Sequence, residues 1–191
     1  MARPKEFDRD VALDRAMIVF WSKGFAATST EDLVSAMGIG RQSMYNSFGD
    51  KRRLYLEALA RYQDASVSGH INRLRSKKSL AGIEAMLVGV IADDRAVRER
   101  GCMGVNAVSE LGCTDPDVTR LRGESDRRLS AALRARLEEA REAGELRRGL
   151  DVETAAAFVG TTMQGLQVGA RAGRPLRALR EVAHFAIASL R

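Results

Sequence analysis

Apolar positions along this chain recur at intervals of three and four residues almost from end to end, the period of helices packed by one face. Leu13, Ala16, Met17, Phe20 and Trp21 form the first stripe and predict a helix from Asp8 or Asp10 to about Lys23, ended by Gly24. Two short runs follow. Thr28 and Glu31 have the spacing of a capping box, so a helix is expected to start there with Leu33, Ala36 and Met37 turned inward. Gly38 suits the left-handed end of that helix, and Gly40 can stand at the start of the next. In the second run Met44 and Phe48 point inward, leaving Arg41, Gln42, Ser43, Tyr45 and Asn46 outside. From Lys51 a longer helix runs to about Arg75 with Leu54, Tyr55, Ala58, Leu59 and Tyr62 along its inner side.

Downstream, RSKKS at 75–79 reads as a polar linker with Ser79 as cap. A helix over 80–98 carries Ile83, Met86, Leu87, Val90 and Ile91. Gly101 and Gly104 break the pattern before a short helix at 104–112, and Asp115-Pro116 opens a long one to about 143. Two more are predicted at 152–172 and 176–190; the first is apolar nearly all round, and together they leave apolar surface suited to self-association. The fold class is therefore all-α.

The stretch from 28 to 51 carries the most specific chemistry. A short helix, a glycine turn and a second short helix with a polar outer face is the sequence form of a helix-turn-helix, although an ordinary hairpin with a solvated face shares the pattern. Arg41 and Gln42 are side chains able to make paired hydrogen bonds to guanine and adenine edges. Thr28, Ser29, Ser43, Tyr45, Asn46 and Lys51 complete the expected DNA-facing set, with the hydroxyls and Lys51 suited to phosphate oxygens. The segment from Phe7 to about Leu59 resembles the DNA-binding domain of the tetracycline-repressor (TetR/AcrR) family through Trp21, Gly24-Phe25, Thr28-Ser29, Gly38-Ile39 and Tyr45-x-x-Phe48-x-x-Lys51. It departs at Gly40, where the family more often has Ser or Thr. The resemblance implies a homodimeric transcription regulator, usually a repressor, that binds double-stranded DNA at a palindromic operator and is released by a small-molecule effector. It also implies a division into a helix-turn-helix domain (1–50), a connecting helix (51–78) and a ligand-binding and dimerisation domain (79–191) whose helices 152–172 and 176–190 pair with their symmetry mates.

Charge agrees with that division. Of the formal net charge of +6, residues 1–78 hold +5 (14 Lys/Arg against 9 Asp/Glu) and the remainder +1, so the excess lies where a polyanion is expected. Arg3 and Lys5 suit either a basic arm in a minor groove or a solvated tail. No apolar run approaches membrane-spanning length and the start lacks the apolar core of a signal peptide, which predicts a cytoplasmic protein with no membrane partner.

Other chemistry is thin. His70 and His184 fall on separate helices and no nucleophile-elbow, zinc-protease or phosphate-loop motif occurs, so no enzyme, cofactor or metal is expected. Cys102 and Cys113 have no zinc spacing; they read as small core residues, with a thiol-based redox-sensing repressor as an alternative. A helical scaffold that binds only protein is the more distant alternative. The effector would be small and apolar or amphipathic, met by Met86, Val90, Met103, Phe158, Met163 and Gln167, with Asn106 and Glu110 as polar contacts. The same methionines also suit plain core. Trp21, the only tryptophan, is expected inside the DNA-binding core and away from the ligand.

Overall fold

The computed structural model describes residues 7–112 and 114–191, which form ten helices and no strand. The expectations for Arg3, Lys5 and Cys113 lie outside the described residues. Helix α1 (Arg9–Lys23) opens on Asp8, whose carboxylate accepts from the N–H groups of Asp10 and Val11, and ends at Gly24 with φ of 83°. Helices α2 (Thr30–Met37) and α3 (Arg41–Phe48) form the short pair, separated by Gly38 in the left-handed conformation. The long α4 (Lys51–Arg75) then leads to α5 (Ser79–Gly89), α6 (Arg95–Arg100), α7 (Met103–Leu111), α8 (Pro116–Glu142), α9 (Val152–Arg171) and α10 (Leu176–Ala188).

The capping box is one residue out of the expected register. Ser29, not Thr28, caps α2: its hydroxyl accepts from Asp32 N at 3.1 Å, and the Asp32 carboxylate accepts from Ser29 N at 2.9 Å. Lys23 beside that carboxylate, with the two Ser29 bonds, holds the Asp32 pKa down at about 2. Thr28 is drawn inward instead, and its hydroxyl donates to Gly24 O at 2.5 Å, closing the turn from α1.

The expected helix over 80–98 is two helices. Asp94 caps α6 by accepting from Val97 N, and Arg98 folds back to donate to the carbonyls of Ala92 and Asp93. Those side chains satisfy the backbone of the 90–94 turn, so the apolar run VGVIA bends although its composition would continue a helix. Gly104 sits inside α7 and does not break it, and Lys78 rather than Ser79 occupies the cap position of α5.

The buried side chains form two cores. The first joins α1, α2 and α3 to Leu54, Tyr55, Ala58 and Leu59 of α4, and draws in Met103 and Ala107 of α7 and Val118 of α8. The second gathers Val67 and Leu74 of α4 with the inner faces of α5, α8, α9 and α10. Helices α4 and α8 therefore belong to both, and α4 is the one that leads directly from the short pair.

The cap assignment is testable. Ser29→Ala should lower the free energy of unfolding by about 1 kcal/mol, whereas the exposed Glu31→Ala should change it by less than about 0.5 kcal/mol. Urea denaturation of both variants checks this; equal losses would return the cap to the earlier register.

Candidate nucleic-acid interface and interhelical cavity

Helix α3 is oriented by its inner face. Met44 and Phe48 are buried, and burying a side chain of that size contributes about 1.5–3 kcal/mol. The exposed ion pair of Arg41 with Glu31 contributes only about 0–1 kcal/mol, so packing decides which residues face solvent. Those residues are Arg41, Gln42, Tyr45 and Asn46, with Ser43 half-buried at the edge. Gln42 donates to Asn46 Oδ1 at 2.9 Å, one helical turn away. Gly40 precedes the helix without a side-chain cap, leaving the first-turn N–H groups open to an outside acceptor. Ser29 stands exposed at the start of α2.

At the start of α4, Lys51 is half-buried with its ammonium 4.6 Å from the centre of the Phe25 ring. Its neighbour Arg52 reaches the other way, to Asp115 at 3.1 Å and Asp117 at 2.9 Å in the first turn of α8. The buried Thr28 hydroxyl is unavailable to a phosphate, which removes it from the expected DNA-facing set.

Two hollows lie behind this head. The smaller, about 140 Å³, opens between α4, α7, α8 and α9 and is lined by Val67, Val105, Leu129 and Met163 among others. The larger, about 460 Å³, lies between α1, α4, α6 and α9 and includes Trp21, Arg73, Val90 and Arg98. Tyr62, Ser66, His70 and Gln167 line both. Two buried polar atoms on these shared walls, His70 Nδ1 and Gln167 Oε1, have no hydrogen-bond partner among the described residues. The other ring nitrogen of His70 is 3.2 Å from Ser66 Oγ. Burial, and secondarily the positive charge of Arg73, push the His70 pKa down to about 4.

Only some of the expected ligand contacts are here. Met163 and Gln167 line the smaller hollow, Val90 and Gln167 the larger. Asn106 lines a separate recess and donates to Arg100 O at 3.0 Å. Met86 is packed in the second core and Met103 in the first, because their helix faces meet other helices rather than space. Phe158 faces solvent on α9. Glu110 does not face a cavity either. It accepts from the N–H groups of Phe25 and Ala26, at 2.9 and 2.5 Å, tying α7 to the turn after α1. Trp21 packs against the first core as expected, but it also lines the larger hollow, and its indole N–H donates to Gly101 O at 2.9 Å.

Comparison with known proteins settles what this arrangement belongs to. The family of bacterial regulatory proteins called tetR matches residues 12–58, and the tetracyclin repressor-like C-terminal domain matches residues 79–186. The chain belongs to the TetR family. The HTH-type transcriptional repressor ComR of Escherichia coli is 32% identical over 184 residues, covering 95% of this chain and 88% of ComR. The HTH-type transcriptional regulator YezE of Bacillus subtilis is 33% identical over 150 residues, 76% of each chain. Among solved structures, a cysteine-substituted form of the TetR family regulator CifR, complexed with 26-bp operator DNA, superposes with a TM-score of 0.80 at 31% identity over the whole of both chains. This TetR-family protein is a DNA-binding transcriptional regulator, and its relatives are regulators rather than enzymes. No helix among its described residues is long and apolar enough to cross a membrane.

The residues missed from the sequence are Tyr62, Ser66 and His70 of α4, which line both cavities of this TetR-family chain. A signal was present: they stand four apart and continue the inward stripe of Tyr55 and Leu59, so polar side chains follow apolar ones on one face of the helix. His70 also gives a pH test. Unfolded, it takes up a proton near pH 6.5; folded, only near 4, so the unfolded state binds more protons between those values and stability falls as pH drops. The full shift corresponds to about 3 kcal/mol at ~1.4 kcal/mol per pH unit. Between pH 6.5 and 5, where carboxylates contribute little, His70→Gln should show a flatter decline in chemical denaturation than the parent.

Proposed function

We propose that this regulator is a ligand-responsive repressor that works in the cytoplasm and binds a palindromic operator as a homodimer. The observation that carries the reading is the outward face of α3, where Arg41, Gln42, Tyr45 and Asn46 stand exposed over a buried Met44 and Phe48. Such a helix fits a major groove, with Arg41 and Gln42 reading base edges and Tyr45, Ser43, Ser29 and Lys51 meeting phosphates. Contact with a base requires Arg41 to leave Glu31, which costs little for so exposed a pair.

The dimer reading is supported by α9 and α10. Phe158 and Val168 on one, and Val182 and Phe185 on the other, are 41%, 52%, 47% and 73% exposed, a concentration of large apolar side chains that a second copy would cover. An effector in the hollows behind the head would favour a placement of α4 in which two heads no longer match the groove spacing. The thiol-switch alternative gains nothing: Cys102 is half-buried beside Tyr62, and Cys113 lies outside the described residues.

Binding to the intergenic DNA beside the gene, measured by gel shift and fluorescence polarisation, tests the proposal. Gln42→Ala should relax base preference at its position by about 1–3 kcal/mol. Lys51→Ala should weaken all sequences alike and flatten the dependence of log K on log salt by about one unit. A Lys51 variant with altered base preference and an intact salt slope would overturn this division of roles. Phe185→Asp should give a monomer in sedimentation and lose affinity for the two-half-site operator; a variant that stays dimeric would remove α10 from the interface.

A further inference from the structure

Charge and hydrogen bonding in the larger hollow are unbalanced in one direction. Four charged side chains line it: Asp14, Arg61, Arg73 and Arg98. Arg61 is already neutralised, by Asp10 at 2.8 Å and Asp14 at 2.6 Å. Arg73 and Arg98 have no carboxylate partner among the described residues, and the acids nearest Arg98 in the chain are engaged elsewhere, Glu99 with Arg95, Asp94 with the N–H of Val97 and Asp93 with Arg180. Arg98 is held in place by backbone carbonyls, which orient its guanidinium without cancelling its charge. Arg73 is seated in a notch left by two glycines: a Cβ at Gly89 would stand 2.3 Å from its Cδ, and one at Gly69 would lie 3.5 Å from Nη1. Two positioned cations thus border a cavity of about 460 Å³, within the range of roughly 300–1,000 Å³ of small-molecule sites.

The wall between the hollows adds directional groups. His70 and Gln167 are 7% and 8% exposed, and each has a polar atom without a partner. When the Ser66 hydroxyl donates to Nε2, neutral His70 carries its proton on Nδ1, the atom that lacks an acceptor. A half-turn of the Gln167 amide presents its NH₂ in place of the orphaned oxygen. Both groups can then donate to the same anion. Met17, Trp21, Val90 and Val97 supply apolar surface in the same hollow.

We infer that Arg73, Arg98, His70 and Gln167 select an amphipathic organic anion, a carboxylate on an apolar body, as the ligand of this cavity. The inference rests on the ligand-responsive reading above and names the class of ligand it needs. A cation would meet two guanidiniums and no free carboxylate. A neutral alcohol would satisfy Gln167 but leave both arginine charges as they were.

The test uses the 191-residue chain and its own Trp21, the sole tryptophan in that sequence, which lines the hollow. Its fluorescence is titrated with octanoate, 1-octanol and octylamine at low and high salt. Octanoate should bind saturably and at least about ten-fold more tightly than 1-octanol, with the preference shrinking as salt screens the arginines. Octylamine should not bind. The Arg73→Met/Arg98→Met variant should lose the preference while still binding operator. His70→Gln should weaken octanoate and spare 1-octanol. Equal affinity for octanoate and 1-octanol, tighter octylamine, or no saturable binding by octanoate would overturn the inference. The comparison of the three probes on the unaltered protein stands even if the double variant does not fold. Operator release, followed separately by polarisation, keeps the two readings apart. Octanoate that binds without releasing DNA sinks ligand response and leaves the ligand class; release by 1-octanol alone does the reverse.

Discussion

Helix α4 is anchored in two different cores, and the position of everything else follows from that. Leu54 and Leu59 are buried completely among α1–α3, and Leu74 completely among the helices behind. With 25 residues at a rise of about 1.5 Å each, the helix is roughly 37 Å long. Close-packed interiors resist compression, so on the proposed ligand response a change of cavity shape near Val67 and His70 would be passed on as a rigid tilt rather than absorbed. A tilt of about 10° over that length displaces the far end by roughly 6 Å, comparable with one helical turn. The lever needs no bending and no local unfolding.

A second set of contacts would decide how freely such a lever moves. Glu110 holds the turn at Phe25 and Ala26, Trp21 holds Gly101, and Arg52 holds the start of α8. All three links join the head to α7, α8 or the loop before α7. Each is largely exposed or half-exposed; a neutral hydrogen bond contributes about 0.5–1.5 kcal/mol, one to a carboxylate such as Glu110 about 1.5–3, and an exposed ion pair about 0–1. They are strong enough to give the head a preferred seat and weak enough to be exchanged. The start of α7 contributes Cys102, Gly104 and Val105 to the smaller hollow, while Glu110 sits near its end. A nine-residue helix therefore spans from the cavity to the base of the reading head.

What the sequence made legible, and what it did not, divides by the range of the interaction. The inward Met44 and Phe48, the outward Arg41, Gln42 and Tyr45, and the helices other than the one expected over 80–98 follow from local period, and the structure has them. The register of the α2 cap was ambiguous locally: Thr28-Glu31 and Ser29-Asp32 both satisfy the motif, and the choice rests on Thr28 finding Gly24 O across the turn. The break at 90–94 is of the same kind, settled by Arg98 folding back onto its own chain. Cavity lining was the hardest to read. Met86 and Met103 have the apolar character of pocket residues, but whether a face meets a neighbour or a void depends on the distances between helices, which no periodicity encodes. Glu110 shows the same limit, its partners being two backbone N–H groups 84 and 85 residues away.

The unpartnered groups of the cavity bear on how binding would become motion. A buried polar atom without a partner costs about 1–3 kcal/mol, and His70 Nδ1 and Gln167 Oε1 have none among the described residues. They stand on different elements, α4 and α9, so one ligand that satisfies both also sets the separation of those helices. The free energy recovered is realised only at that separation. It is of the same order as the preference of a few kcal/mol that a two-state shift requires. On the proposed ligand response, ligand binding and the tilt of α4 would be one equilibrium viewed from its two ends, with Tyr62, Ser66 and His70 of α4 joining the cavity to the helix that carries the head.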